Sequence, residues 1–269
     1  MQKPKPHLSI SQLNMLSRCG EQYRRRYISR EIIPPGIAML VGSAVDRAVT
    51  RNLEERLNGR ELLPVDAVAE IASAGYVARL DTTDVLLTED EESIGIDAAR
   101  GRGQDKSVRL ARLHAIELAP AIEPTHLQRK VEVDLTGYDY SLLGFIDIQE
   151  RGAIRDTKTA SKTPAADTAD KDDQLTIYAL MAQVIDGAIP ERLCLDYLID
   201  TEQPKTKILH TARTVEDFHP LLRRVEVATR ALAAGVFIPA RETDWVCSPR
   251  WCGYHATCIY TKKSKRPKN

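Results

Sequence analysis

Between residues 128 and 199 the hydrophobic pattern changes from helical spacing to alternation, and this change constrains the fold more than any other feature. Lys130-Val131-Glu132-Val133-Asp134-Leu135 alternates as a strand does, and Gly137-Tyr138-Asp139 reads as a turn. Leu142–Gln149 and Ala153–Thr159 read as two further strands joined by Arg151-Gly152, a two-residue turn. An exposed link rich in Thr, Ala, Asp and Lys follows, then a helix from about Lys171 to Ile185, then a strand over Leu193–Ile199. Three strands, a helix and a strand make a mixed α/β domain.

The N-terminal half reads as helical. A helix over 9–28 opens at Ser9 or Ser11 and is broken by Pro34-Pro35-Gly36. A second runs from Ile37 to Leu57 and stops at Asn58-Gly59; residues 64–82 and 104–119 complete the set. The acidic run Glu89–Glu92 and Gly101-Arg102-Gly103 read as exposed loop. Thr214 caps a last long helix that ends at Gly235. The expected organisation is one domain over 1–269: a mainly helical frame (1–120), a catalytic core (121–235), a cysteine segment (236–260) and a basic tail (261–269).

Lys+Arg and Asp+Glu are both 38, so net charge does not announce a nucleic-acid partner. Basic residues do gather locally, at Arg18, Arg24, Arg25, Arg26 and Arg30 and at Lys262, Lys263, Lys265, Arg266 and Lys268, where they can meet phosphate or simply solvate the chain. No apolar run is long enough to cross a membrane, and MQKPKPHLSI lacks the apolar core of a signal peptide. The expected location is the cytoplasm, of a prokaryotic cell or a phage-infected host, where five cysteines suit thiols or metal ligands better than disulfides. There is no Walker-type phosphate loop.

The residues that carry chemistry lie on the strand pair. Asp156 and Lys158 are two apart and leave one face of their strand, while Asp147 sits on the preceding strand across the short turn. Two carboxylates there make a hard oxygen site suited to Mg2+ or Mn2+, and a neighbouring lysine can hold and polarise an attacking water. Asp-x-Lys alone is also what a salt-bridged, solvated strand pair would show. Gln174 and Tyr178, four apart, share one helix face from which they can reach the same place.

In this order, Gly144-x-x-Asp147, Asp156-x-Lys158-Thr159 and Gln174-x-x-x-Tyr178 resemble the motifs of RecB-like PD-(D/E)XK nucleases. Leu8-Ser9-x-Ser11-x-Leu13-x-x-Leu16-x-x-Cys19-x-x-Gln22-Tyr23 is similar to the opening helix of that family. The resemblance implies a restriction-endonuclease-like αβββαβ core within a helical frame. It also implies hydrolysis of DNA phosphodiesters, with exonuclease action on linear or single-stranded ends. Recombination or CRISPR-adaptation proteins are the implied partners, besides DNA. A DNA-binding or assembly module without catalysis is the other class of function compatible with the same fold. Gly42-Ser43-Ala44-Val45-Asp46 falls where the family has Gly-x-x-x-His, so Asp46 stands in place of a histidine metal ligand. An aspartate there is either a third oxygen ligand or a surface residue of a helix.

Cys247, Cys252 and Cys258 crowd into a short segment and need a fourth ligand to close a tetrahedral site; Cys19, 228 positions before Cys247, is the best candidate. One early cysteine with three near the C-terminus resembles the [4Fe–4S] staple of AddB-like and CRISPR-adaptation nucleases, although Cys247 and Cys252 are more widely spaced than in that pattern. The rival is structural Zn2+, with His255 or Cys19 as fourth ligand. Trp245, Trp251 and Tyr254 read as a water shield for this centre or as stacking surfaces for bases. Cys194 reads as an ordinary buried cysteine.

Overall fold

A computed structural model describes residues 6–134, 137 and 139–261. Leu135, Tyr138 and the five basic tail residues Lys262, Lys263, Lys265, Arg266 and Lys268 lie outside the described residues. The chain gathers into two compact units, one of Met1–Pro34, Asp134–Leu142 and Leu222–Asn269, the other of Pro35–Val133 and Leu143–Leu221.

In the first unit, β1 (His7–Ser9) leads into α1 (Ile10–Arg18). Ser9 caps α1 in a reciprocal capping box with Gln12. The helix expected over 9–28 is interrupted. Cys19 is extended, a short α2 (Gly20–Tyr23) follows, and Arg24–Ile28 forms a π-helical turn. Gly20 explains the break. Its amide donates to the Ile238 carbonyl at 2.7 Å, and a Cβ on Gly20 would stand 2.5 Å from Ile238 N. The close approach of that second chain segment takes precedence over helix continuity.

The second unit holds α3 (Ile37–Leu57), α4 (Val65–Leu80), α5 (Glu89–Ile94) and α6 (Ile96–Glu117). Leu40, Val41, Ala44, Val45, Ala48, Val49 and Leu53 place the apolar stripe of α3 in the core at helical spacing. Small residues Ala48, Ala72, Ala111 and Ala115, with Val68, let α3, α4 and α6 approach closely. Two expected loops are helical. Thr88 forms a capping box with Glu91, so the acidic run starts a helix and its charges sit at the favourable end. Gly101-Arg102-Gly103 lies inside α6, which is longer than the expected 104–119. Gly103 is there to clear Tyr76, whose hydroxyl oxygen would be 2.1 Å from an added Cβ.

The strands of this unit are β2 (Pro124–Asp134), β3 (Ser141–Glu150), β4 (Ala153–Ala160), β5 (Arg192–Ile199) and β6 (Lys205–Thr211), with α7 (Asp173–Ile185) between β4 and β5. β2 pairs with β3, β3 with β4 antiparallel, β4 with β5 parallel over eight residues, and β5 with β6 antiparallel. α7 is the crossover that a parallel pair requires. This mixed α/β architecture agrees with the expected restriction-endonuclease-like class. β6 was not foreseen: of its Lys205-Thr206-Lys207-Ile208-Leu209-His210-Thr211 only Leu209 is buried, as on a charged sheet edge. α8 (Val215–Ala233) starts after Thr214, whose amide and hydroxyl both reach Asp217. None of the helices is long and apolar enough to cross a membrane among the described residues.

Candidate active site

β3 and β4 form a hairpin whose Gly152 takes a left-handed φ of 72°. The register sets Ile148 opposite Arg155 and Glu150 opposite Ala153. Alternation along β4 then divides its charges between two faces. On one, Arg155 makes a buried ion pair with Asp196 of β5 at 3.0 Å and another with Glu150 at 2.5 Å, which ties the hairpin to its parallel neighbour. On the other stand Asp156 and Lys158.

Lys158 Nζ lies 2.6 Å from Asp156 Oδ2 and donates to Gln174 Oε1 at 2.9 Å. Gln174 Nε2 donates in turn to the Tyr178 hydroxyl at 2.6 Å, and Tyr178 donates to the Phe145 carbonyl. A chain of polar contacts thus runs from β4 through α7 to β3. Asp172 caps α7 by accepting from Leu175 N at 2.9 Å, and buried Arg213 donates to Thr176 Oγ1 and to the Ala169 carbonyl, both at 2.8 Å. Arg213 thereby fixes the link ahead of α7, a role the sequence did not disclose. Gly144 has a spatial reason as well: an added Cβ would lie 2.9 Å from Met181 Sδ and 3.4 Å from the Tyr178 ring.

Asp46, Asp147, Asp156 and Lys158 act on one another electrostatically. Burial, then the Asp156 and Asp46 charges, push the Asp147 carboxyl up to about 8, against a main-chain hydrogen bond from Thr157 and the Lys158 charge. Burial likewise raises Asp156 and Asp46. Burial alone would lower Lys158, but Asp156 and Asp147 outweigh it and keep the ammonium charged. Crowded, buried carboxylates with only Lys158 as a nearby cation are what an oxygen-seeking divalent cation would relieve. Among the described residues no group of three or more His, Cys, Asp or Glu side chains is arranged to hold one ion as it stands.

Of these four residues, Asp46 lines an open cavity of about 530 Å³, together with Arg47, Thr50 and Gln128 among others. Gln128 Nε2 donates to Asp46 Oδ1 at 3.0 Å, a partner that sequence reasoning missed.

In the first unit Cys19, Cys247, Cys252 and Cys258 line one small cavity together; His255 does not line it. Ala240 N–H donates to Cys19 Sγ at 3.3 Å. Burial raises the Cys252 thiol while hydrogen bonds from Gln22 and the Tyr254 main chain hold it down, and burial with the neighbouring thiols raises Cys247. Tyr254 is buried and donates to the Glu31 carbonyl at 2.6 Å. Trp245 and Trp251 meet edge to face at 5.6 Å but are 63% and 59% exposed, so they shield little. Much of the expected basic patch is spent internally: Arg24 pairs with Glu21, and Arg25 with Glu31. Cys194 is buried, with its sulfur 3.3 Å from His210 Nδ1.

The chain is similar over its whole length to the crystal structure of a "Putative exonuclease" from Eubacterium rectale, at 15% identity and a TM-score of 0.56, covering 97% of that chain; this shows a shared fold. The structure of SSO0001 is similar at 12% identity and a TM-score of 0.43, over 97% of this chain and 90% of that one. No curated protein matches. The family model of the PD-(D/E)XK nuclease superfamily matches residues 7–259, and the chain belongs to that superfamily.

Proposed function

We propose that this nuclease is a metal-dependent DNA exonuclease of the RecB-like branch. The observation that carries the reading is the pair formed by buried Asp156 and half-buried Lys158 at 2.6 Å, joined electrostatically to Asp147 and Asp46. Asp46, Asp147 and Asp156 would hold Mg2+ or Mn2+. Bound there, the ion would supply Lewis-acid stabilisation of the charge that develops on the phosphate. Lys158, anchored by Gln174 and kept charged by the neighbouring carboxylates, would orient and polarise a water beside the scissile phosphate. Gln174 is in turn held by Tyr178, so both act by fixing Lys158. Hydrolysis of linear or single-stranded ends fits this branch, in the setting of recombination, repair or CRISPR adaptation.

A [4Fe–4S] cluster on Cys19, Cys247, Cys252 and Cys258 is part of the proposal. Four soft thiol donors around one cavity, with N–H groups aimed at two of the sulfurs, suit thiolate ligation. Within this scheme residues 236–260 carry the cluster and 121–235 the reaction.

The test is incubation with end-labelled linear DNA and closed circular DNA, with Mg2+, Mn2+ or chelator. Release of label from linear DNA only, abolished by chelator, supports the reading. Cleavage of circles would make the enzyme an endonuclease, and cleavage in chelator would remove the metal.

A further inference from the structure

We propose that Gln128 is the positioning residue for Asp46: its side-chain amide fixes one carboxylate oxygen so that the other faces the divalent cation. The inference rests on the reading of Asp46 as a ligand.

Both hydrogens of the Gln128 amide are committed to α3. One goes to Asp46 Oδ1 at 3.0 Å and the other to Thr50 Oγ1 at 3.3 Å. Asp46 and Thr50 are one turn apart on the same helix face, so the amide spans that turn and cannot swing without breaking both bonds. An aspartate otherwise rotates about two side-chain bonds. With Oδ1 tied, its remaining oxygen keeps one direction.

The backbone of Gln128 supports the same conclusion. Its φ is 46°, in the left-handed region, in the middle of β2. Strands do not need this conformation, and glutamine is not a residue that adopts it readily. The left-handed backbone occurs at the residue whose amide reaches α3, so the strain accompanies that contact. Asp46, Thr50 and Gln128 all line the open cavity, so the held carboxylate sits at the edge of accessible space. A histidine ligand is usually oriented by a bond to its second ring nitrogen; an aspartate in that place needs a donor instead, and Gln128 is that donor.

The experiment measures Mn2+ affinity by calorimetry in the full chain, beside melting temperature. Gln128→Gly removes the amide and suits the left-handed backbone, so a purely structural role for Gln128 would leave binding unchanged. Gln128→Asn keeps an amide and tolerates the backbone but is too short to reach. Both variants should bind Mn2+ roughly 10–100-fold more weakly with melting temperature held or raised in Gln128→Gly. The Asp46→Ala, Gln128→Gly double variant should bind no more weakly than Asp46→Ala alone. Unchanged affinity in Gln128→Gly with weakened affinity in Asp46→Ala would overturn the inference and spare the site. Losses that add in the double variant would also overturn it, since Gln128 would then act independently of Asp46. Unchanged affinity in Asp46→Ala would remove Asp46 from the site, and the inference with it.

Discussion

Lys158 Nζ stands 2.6 Å from Asp156 Oδ2, although the two residues are neighbours on one face of a strand and Asp156 is only 1% exposed. A solvated strand pair would place such charges in water. Here the carboxylate is buried, its partner is also held by Gln174, and a second raised carboxyl, Asp147, is close enough to influence it. Buried groups of this kind, with mutually perturbed protonation, mark a reactive site more often than a structural one.

Lys158→Ala should therefore slow DNA hydrolysis by roughly 10²–10³-fold, the range for losing a preorganised charged donor. Binding of DNA in Ca2+ should change far less. Asp156→Asn should abolish hydrolysis with the fold retained. Release of labelled nucleotide, checked against circular dichroism, measures both. Activity at the unmodified rate in either variant would place the chemistry elsewhere.

Tyr178→Phe should destabilise the core of the larger unit. The hydroxyl donates to the Phe145 carbonyl and accepts from Gln174, so its loss leaves buried polar atoms short of a partner. The expected cost is about 1–3 kcal/mol in urea unfolding. Because Gln174 also carries Lys158, activity should fall further than stability explains. An unchanged unfolding midpoint with full activity would mean the chain of contacts ends at Gln174.

Much of this was readable from residue order. The alternation of β3 and β4 around Arg151-Gly152 predicts Asp147 beside Asp156 on paired strands and Asp156 and Lys158 on one face, and the register has that arrangement, because a two-residue turn and period-two spacing leave little freedom. α3 was legible to its ends for the same reason: its stripe is regular, and Asn58-Gly59 stops it. What escaped depends on partners distant in sequence. β2 was read only from Lys130 because the left-handed Gln128 breaks the alternation before it. The same residue therefore hid both the first half of the strand and the donor to Asp46. Gly103 looked like a loop residue, yet it is glycine because Tyr76 occupies the space of a side chain.

His114 predicts an acid sensitivity. It is fully buried in α6, and neither ring nitrogen has a hydrogen-bond partner among the described residues. Burial first, and Arg155 second, lower it to about 3. The unfolded chain takes up a proton near pH 6.5, and the folded chain does not until far lower. Stability is thus complete above 6.5 and falls as pH drops toward the folded value. At about 1.4 kcal/mol per pH unit, the loss at pH 5 is about 2 kcal/mol. His114→Leu should remove that part of the slope, so the variant gains on the parent between pH 6.5 and 5. Parallel urea midpoints across that window would show that His114 already titrates normally.

Gly20→Ala should uncouple the cysteine segment without touching a thiol. The added Cβ would meet main-chain atoms, 2.5 Å from Ile238 N and 2.6 Å from Phe237 C. Backbone cannot rotate aside as a side chain can, so the 237–240 stretch must move away from Gly20. That breaks the 2.7 Å bond from Gly20 N to the Ile238 carbonyl and the 3.3 Å bond from Ala240 N to Cys19 Sγ. The cavity shared by Cys19 and the three later cysteines would open, and binding of the proposed cluster would be coupled to its closure. The cost should exceed the ~1–3 kcal/mol usual for overpacking against side chains. Gly253→Ala is the graded control, because the nearest atoms to its Cβ would belong to the Ile33 side chain, at 2.5 Å. Protein purified without oxygen should contain iron and acid-labile sulfide in the parent, less in Gly253→Ala, and none in Gly20→Ala or Cys19→Ala. Stoichiometric zinc with no iron in the parent would replace the cluster by a zinc centre at the same four thiols. Full metal content in both Gly20→Ala and Cys19→Ala would remove Cys19 from the ligand set.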